Sequence, residues 1–263
     1  MSSQPDHLAA TRPGSDRLRR LAGRVAAGAV PALAAVLMSG CAVKGADNAN
    51  VIAGKKYFVQ KCGACHTLAR AETKGIVGPN LDEAFRASLR EGLERSTVRS
   101  VVEGQVENPN RGGVMPKNLA KGSTLEDIAA YVSQVADLPG KDTGLLATAV
   151  EAPGSGKPAV ESAGKLSIPA SPSGQLAYAT NKASATAGAV TIEMPNMSGV
   201  AHNIAIEEGE HGASGTGTVL GHSEFVTNGA AKVSLTLKPG TYTFFCQAPG
   251  HRAAGMYGTL VVK

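Results

Sequence analysis

Cys62-Gly63-Ala64-Cys65-His66 places two thiols three residues apart with an imidazole directly after them. Such a string can form two thioethers to the vinyl groups of one haem and present the imidazole to its iron. Far downstream, Cys246-Gln247-Ala248-Pro249-Gly250-His251, continued by Met256, offers a thiolate, an imidazole and a thioether on one loop between two expected strands. A blue-copper centre needs a thiolate and two imidazoles near one plane, with a weak axial thioether. The remaining imidazole must come from a distant strand. His202, between Val200-Ala201 and Asn203-Ile204-Ala205-Ile206, is the candidate. Neither donor set leaves a position for a substrate, so the chemistry implied is movement of single electrons.

His66 is the expected proximal ligand of the haem iron. For the sixth position, Met115 is the only methionine between Met38 and Met194, and Gly112-Gly113 before it and Pro116 after it make a loop that can approach a flat macrocycle. A Met/His pair raises the iron potential and closes the iron to other ligands. The four cysteines, Cys41, Cys62, Cys65 and Cys246, each have a candidate role other than a disulfide. A thioredoxin-like use of Cys62 and Cys65 is disfavoured by His66 and by the lack of a βαβ pattern.

The elements that position these residues fall into two blocks. Asn50 to Leu138 reads as helical. In its last helix Leu125, Ile128, Ala129 and Val132 form one apolar stripe, with Ser123 and Glu126 as a capping box. Residues 139–165 are rich in Pro, Gly, Ser, Ala and Thr and read as a linker. A flexible coil of this length spans roughly 30 Å, enough to let two domains meet or separate. From residue 166 to 263 the chain reads as strands: Ala189–Met194, His202–Glu207, Ala231–Leu237, Thr241–Cys246 and Tyr257–Val262. Turns are expected at Pro195-Asn196, Glu208-Gly209 and Pro239-Gly240, and the alternation predicts an antiparallel sandwich. Glu207, Glu208 and Glu210 read as a solvated acidic loop that could dock a basic partner, and His211 and His222 lack ligand spacing.

The first block, residues 50–138, resembles the class I c-type cytochromes through Cys62–His66, Gly78-Pro79-Asn80-Leu81 and Met115-Pro116. The resemblance implies an all-α fold with one covalent haem c. It also implies that Pro79 orients His66 through its carbonyl, and that the first and last helices cross at Gly54, Phe58 and Tyr131. The second block, 166–263, is similar to the plastocyanin/azurin-type cupredoxins through Phe245-Cys246 to Met256-Tyr257-Gly258-Thr259 and through His202-Asn203. That resemblance implies an all-β Greek-key sandwich and one type 1 copper held by His202, Cys246, His251 and Met256. It further implies that Asn203 locks the ligand loop by hydrogen bonding.

Residues 1–40 carry five arginines against two aspartates, and so supply +3 of the net +5; the basic pI therefore gives no ground for a nucleic-acid partner. This segment reads as a signal peptide: an Arg-rich start, an apolar run from Val25 to Met38 too short to span a bilayer, then small residues. Leu37-Met38-Ser39-Gly40-Cys41 resembles a bacterial lipobox, which implies lipidation of Cys41 and a tether over 41–49. The expectation is a lipid-anchored electron carrier, not an enzyme, on the extracytoplasmic face of a bacterial membrane. Its partners would be redox proteins such as a quinol–cytochrome c reductase, a terminal oxidase or another reductase. The alternative is a redox subunit whose catalytic centre lies on another chain. A copper nitrite reductase would need histidines for a second copper, and oxidase subunit II a second cysteine beside Cys246.

Overall fold

The computed structural model describes residues 48–263. The signal segment 1–40, Cys41 and most of the 41–49 tether lie outside the described residues. No helix among the described residues is long and apolar enough to cross a membrane.

The first block is built from four helices: α1 (Val51–Lys61), α2 (Leu81–Arg90), α3 (Arg95–Glu107) and α4 (Ser123–Val135). A two-stranded ribbon, β1 (Thr67–Leu68) with β2 (Thr73–Lys74), joins α1 to the loop before α2. Asn50 caps α1, its Oδ1 accepting from the backbone N–H groups of Ile52 and Ala53, and its own N–H donates to Asp127 of α4 at 2.7 Å. The two helices cross where Gly54 leaves room. A Cβ there would stand 2.0 Å from the Asp127 carbonyl oxygen and 2.9 Å from Tyr131 Cβ. One turn on, the rings of Phe58 and Tyr131 meet with centroids 6.2 Å apart. Gly54→Ala is therefore expected to destabilise this block by about 1–3 kcal/mol through overpacking. The gain in helix propensity, about 1 kcal/mol, does not offset a collision with backbone. Thermal unfolding followed at the helical circular dichroism band checks this.

The stripe of α4 is buried as the periodicity requires, with Leu125, Ile128, Ala129 and Val132 all in the core. The capping box does not form. Gly122 occupies the N-cap position at φ 55°, no side chain caps the helix, and the Gly122 carbonyl accepts from Leu125 and Glu126. Ser123 lies one residue too far along to reach the free N–H groups.

Residues 139–165 are mostly exposed but fastened at several points rather than free. Asp142 is buried and accepts from the Tyr131 hydroxyl at 2.9 Å. It also pairs with Lys55 Nζ at 3.0 Å and, more loosely, with Arg70 Nη1 at 3.6 Å. Lys55 donates further to the Leu146 carbonyl in a 3-10 turn, Gly144–Leu146. The end of the segment supplies strand β3 (Ala159–Val160). Composition alone hides this, because the anchoring groups pair with residues distant in sequence.

The second block is a two-sheet sandwich. Its remaining strands are β4 (Lys165–Ser167), β5 (Lys182–Ala185), β6 (Gly188–Asn196), β7 (Ala205–Glu208), β8 (Val219–His222), β9 (Gly229–Leu237), β10 (Gly240–Phe245) and β11 (Tyr257–Val262). One sheet runs β3-β5-β11-β10-β7-β8 and the other β4-β6-β9. The sheets are mixed rather than wholly antiparallel: β3 with β5, β5 with β11 and β4 with β6 run parallel. Alternation drives the packing, with Val190, Ile192 and Met194 of β6 facing Phe244 and Leu260 across one core. Pro195-Asn196, expected as a turn, instead ends β6 opposite Ala230 and Gly229, with the Pro195 carbonyl accepting from Ala170.

Candidate functional site

Strand β10 ends at Phe245, so Cys246 is the first residue beyond the sheet. Its N–H donates to the Met256 carbonyl at 3.1 Å, which closes the loop 246–256 at its base. Gly250, at φ 80°, turns the chain into the short helix α5 (His251–Ala254). Met256 returns to donate to the His251 carbonyl at 2.9 Å and is fully buried in the sandwich core. His202 reaches the same place from a different part of the fold. It precedes β7 and is held by a two-bond bridge to Val226.

The three donors converge. His202 Nδ1 lies 3.1 Å from His251 Nδ1, and Cys246 Sγ lies 3.5 Å from His251 Nδ1 and 4.0 Å from His202 Nδ1. One ligand atom from each residue falls within 4.8 Å of the others. His202 and Cys246 are almost completely buried. Such a cluster, lined by two imidazoles and one thiol, suits a soft, nitrogen-favouring metal ion. Burial, reinforced by the neighbouring His251, pushes the His202 pKa down to about 4, and burial lowers that of His251. Both rings are thereby kept neutral and able to donate a lone pair. Burial raises the Cys246 thiol against the opposing pull of the Asn203 and Ala248 N–H groups, so a bound metal would have to displace the thiol proton. His202 Nε2 is buried with no hydrogen-bond partner, which leaves Nδ1 as the nitrogen aimed at the cluster.

Around these donors Asn203 ties the loop to the sheet. Its Oδ1 accepts from the Gln247 N–H at 2.8 Å, and its Nδ2 donates to Gln247 Oε1 at 2.8 Å and to the Ser223 carbonyl at 3.3 Å. Tyr178, buried and edge-on to Phe244, donates to the Asn203 carbonyl at 2.8 Å. Gln247, Ser223 and Tyr178 carry no motif, and sequence reading passes over them.

Glu207 is not part of a solvated acidic loop. It is 2% exposed and holds Arg252 through two hydrogen bonds of 2.9 Å. Alternation along β7 sends Ile206 into the core and Glu207 to the opposite face, where the Arg252 guanidinium and the Gly217 backbone N–H meet its carboxylate. His211 and His222 stay outside the cluster, each against a nearby backbone carbonyl.

In the helical block, Cys62, buried, and Cys65, half-buried, lie in the turn between α1 and β1 and form no disulfide. Burial, with Cys65 adding to it, pushes the Cys62 thiol up to about 12. His66 Nδ1 lies 2.9 Å from the Pro79 carbonyl, which fixes the ring and leaves Nε2 as its available nitrogen. The ring packs against Gly78, where a Cβ would come within 2.4 Å of His66 Cε1. Met115 is half-buried against the helical core.

Comparison with known proteins bears on the second block. Residues 168–263 match the family model described as copper binding proteins of the plastocyanin/azurin family. Among solved structures, dithionite-reduced auracyanin from the photosynthetic bacterium Roseiflexus castenholzii is 23% identical, covering 39% of this chain and 99% of that one with a TM-score of 0.35. Auracyanin B is 28% identical over 42% of this chain and 96% of its own, at a TM-score of 0.35. Reduced rusticyanin is 20% identical over 40% and 84%, at 0.33. No curated protein matches the chain. Residues 168–263 thus form a plastocyanin/azurin-family cupredoxin domain, and the His202–Cys246–His251 cluster at its end is a type 1 copper site.

Proposed function

We propose that the protein is an extracytoplasmic electron carrier that passes single electrons between a covalent haem c and the type 1 copper. The observation that carries this reading is the convergence of the His202, Cys246 and His251 donors in a buried cluster. With buried Met256 on the same loop as axial thioether, the donor set is filled by protein, and no position remains for a substrate. Copper held there supplies a one-electron couple. The protein's part is to fix the ligands and keep water away.

For the first block, Cys62 and Cys65 would hold the haem, with His66 and Met115 as axial ligands. The Pro79 carbonyl on His66 Nδ1 supports this, since an axial imidazole donates its other ring N–H to a fixed acceptor. Gly78 beside the ring supports it as well, because a side chain there would displace the imidazole. A relay needs the two loops to meet. Ile76, between His66 and Pro79, lies with Cδ1 2.9 Å from where a Cβ of Gly250 would stand, one residue before His251. Lipidation of Cys41 would hold the carrier at the membrane, where a quinol–cytochrome c reductase and a terminal oxidase or another reductase are suitable partners.

Metal and haem stoichiometry of the mature protein tests the reading. One covalent haem, one copper and an intense blue band support the relay, and a product that holds only one of the two groups when supplied with both refutes it. Met115→Ala is expected to make the ferrous haem bind carbon monoxide, because it removes the sixth ligand. An unchanged haem spectrum in that variant would exclude Met115 as a ligand.

A further inference from the structure

Arg252 directly follows the ligand His251, and its guanidinium is fixed on four sides. Nη1 and Nη2 donate to the two carboxylate oxygens of Glu207 at 2.9 Å each, and Nε donates to the Gly212 carbonyl at 2.8 Å. Its Cζ sits 4.0 Å above the ring of Phe245. The pair is enclosed, with side chains 15% and 3% exposed. The loop over it is cut to fit: a Cβ at Gly215 would fall within 2.3 Å of three guanidinium atoms, and one at Gly217 would stand 2.5 Å from Glu207 Cγ.

Two of the three partners stand next to a copper ligand in the chain, and the third lies on the strand after one. Phe245 precedes Cys246, Arg252 follows His251, and Glu207 lies on β7, the strand that His202 leads into. Helix α5 has only four residues and cannot hold a ligand rigidly by itself. A buried ion pair adds little net stability over an apolar pair of the same volume, so stability alone does not account for it. A planar fork gripping a carboxylate while stacked on a ring does fix direction.

We infer that Arg252 is a positioning residue of the copper centre, which sets His251 against Cys246 and, paired with Glu207, keeps the charge beside the metal neutral. This inference rests on the copper site and is independent of the haem. Oxidised copper with one thiolate and two neutral imidazoles carries one more positive charge than the reduced site. A lone guanidinium nearby therefore disfavours the oxidised form, and a lone carboxylate favours it.

Four copper-loaded variants test this by absorption, electron paramagnetic resonance and redox titration. Glu207→Gln is expected to raise the copper potential and Arg252→Gln to lower it, and the double variant to return it towards the original value. Arg252→Lys keeps the charge but loses the fork and the stack. It is expected to hold the potential near the original while changing the thiolate-to-copper band and the copper hyperfine pattern. The double variant leaves no unpaired buried charge, so it keeps the test open if a single variant unfolds. The inference is overturned if Arg252→Lys and the double variant lose only thermal stability and keep both spectra unchanged. It is equally overturned if the double variant does not fold, for the pair is then a structural element only. Lack of a blue band in the unaltered copper-loaded protein would instead refute the copper reading itself.

Discussion

Replacing Cys246 by serine is expected to abolish the blue absorption of the copper-loaded protein and leave any haem spectrum in place. The intense band belongs to a thiolate–copper bond, and Cys246 provides the thiol of the cluster, 3.5 Å from His251 Nδ1 and 4.0 Å from His202 Nδ1. Serine is close in size, and the Cys246 N–H bond to the Met256 carbonyl is made by backbone, so the loop should stay closed. The loss is therefore of ligand chemistry and not of fold. The helical block has a separate core, which does not include Cys246. Parallel absorption and circular dichroism spectra check the result. A persistent blue band would remove Cys246 from the site.

Asp142→Asn is expected to destabilise the helical block by about 3–5 kcal/mol, the usual cost of breaking a buried ion pair from one side. The substitution keeps the shape but strips the charge that balances Lys55, whose side chain is 7% exposed. Lys55 would retain the Leu146 carbonyl, which cannot neutralise an ammonium group. Asp142 Oδ1 has no hydrogen bond of its own and faces Arg70 at 3.6 Å, so that pairing is coulombic and also lost. Urea unfolding followed at the helical circular dichroism band checks the value. A change within about 0.5 kcal/mol, as for an ordinary surface site, would mean that the segment after α4 does not contribute to the core.

What the sequence discloses depends on how close the cooperating residues lie along it. The loop 246–256 is legible because Cys246, His251 and Met256 lie close along the chain and their spacing is itself the pattern. Strands β6, β9 and β11 are legible because their alternation coincides with burial, whereas β10 is buried on both faces from Tyr242 on and is legible as an aromatic, β-branched run. Strand β5, Lys-Ala-Ser-Ala, offers neither bulk nor branching; it exists because β11 and β3 flank it, and both pair with it in parallel. The Glu207–Arg252 pair joins residues 45 apart and is invisible to local pattern. Likewise Asp142 looks like a polar linker residue until Lys55 and Tyr131 are brought to it by the α1–α4 crossing.

The fastened strap between the two blocks has a kinetic corollary. It is bound at Asp142 and Leu146 on one side. On the other, the Glu151 carbonyl accepts from Gln175, and Ser155 bridges to Thr180. Between Leu146 and Ser155 even a fully extended chain reaches no further than about 30 Å. The two blocks are thus held beside each other whatever the concentration of the protein. Any exchange between them should be first order and insensitive to dilution.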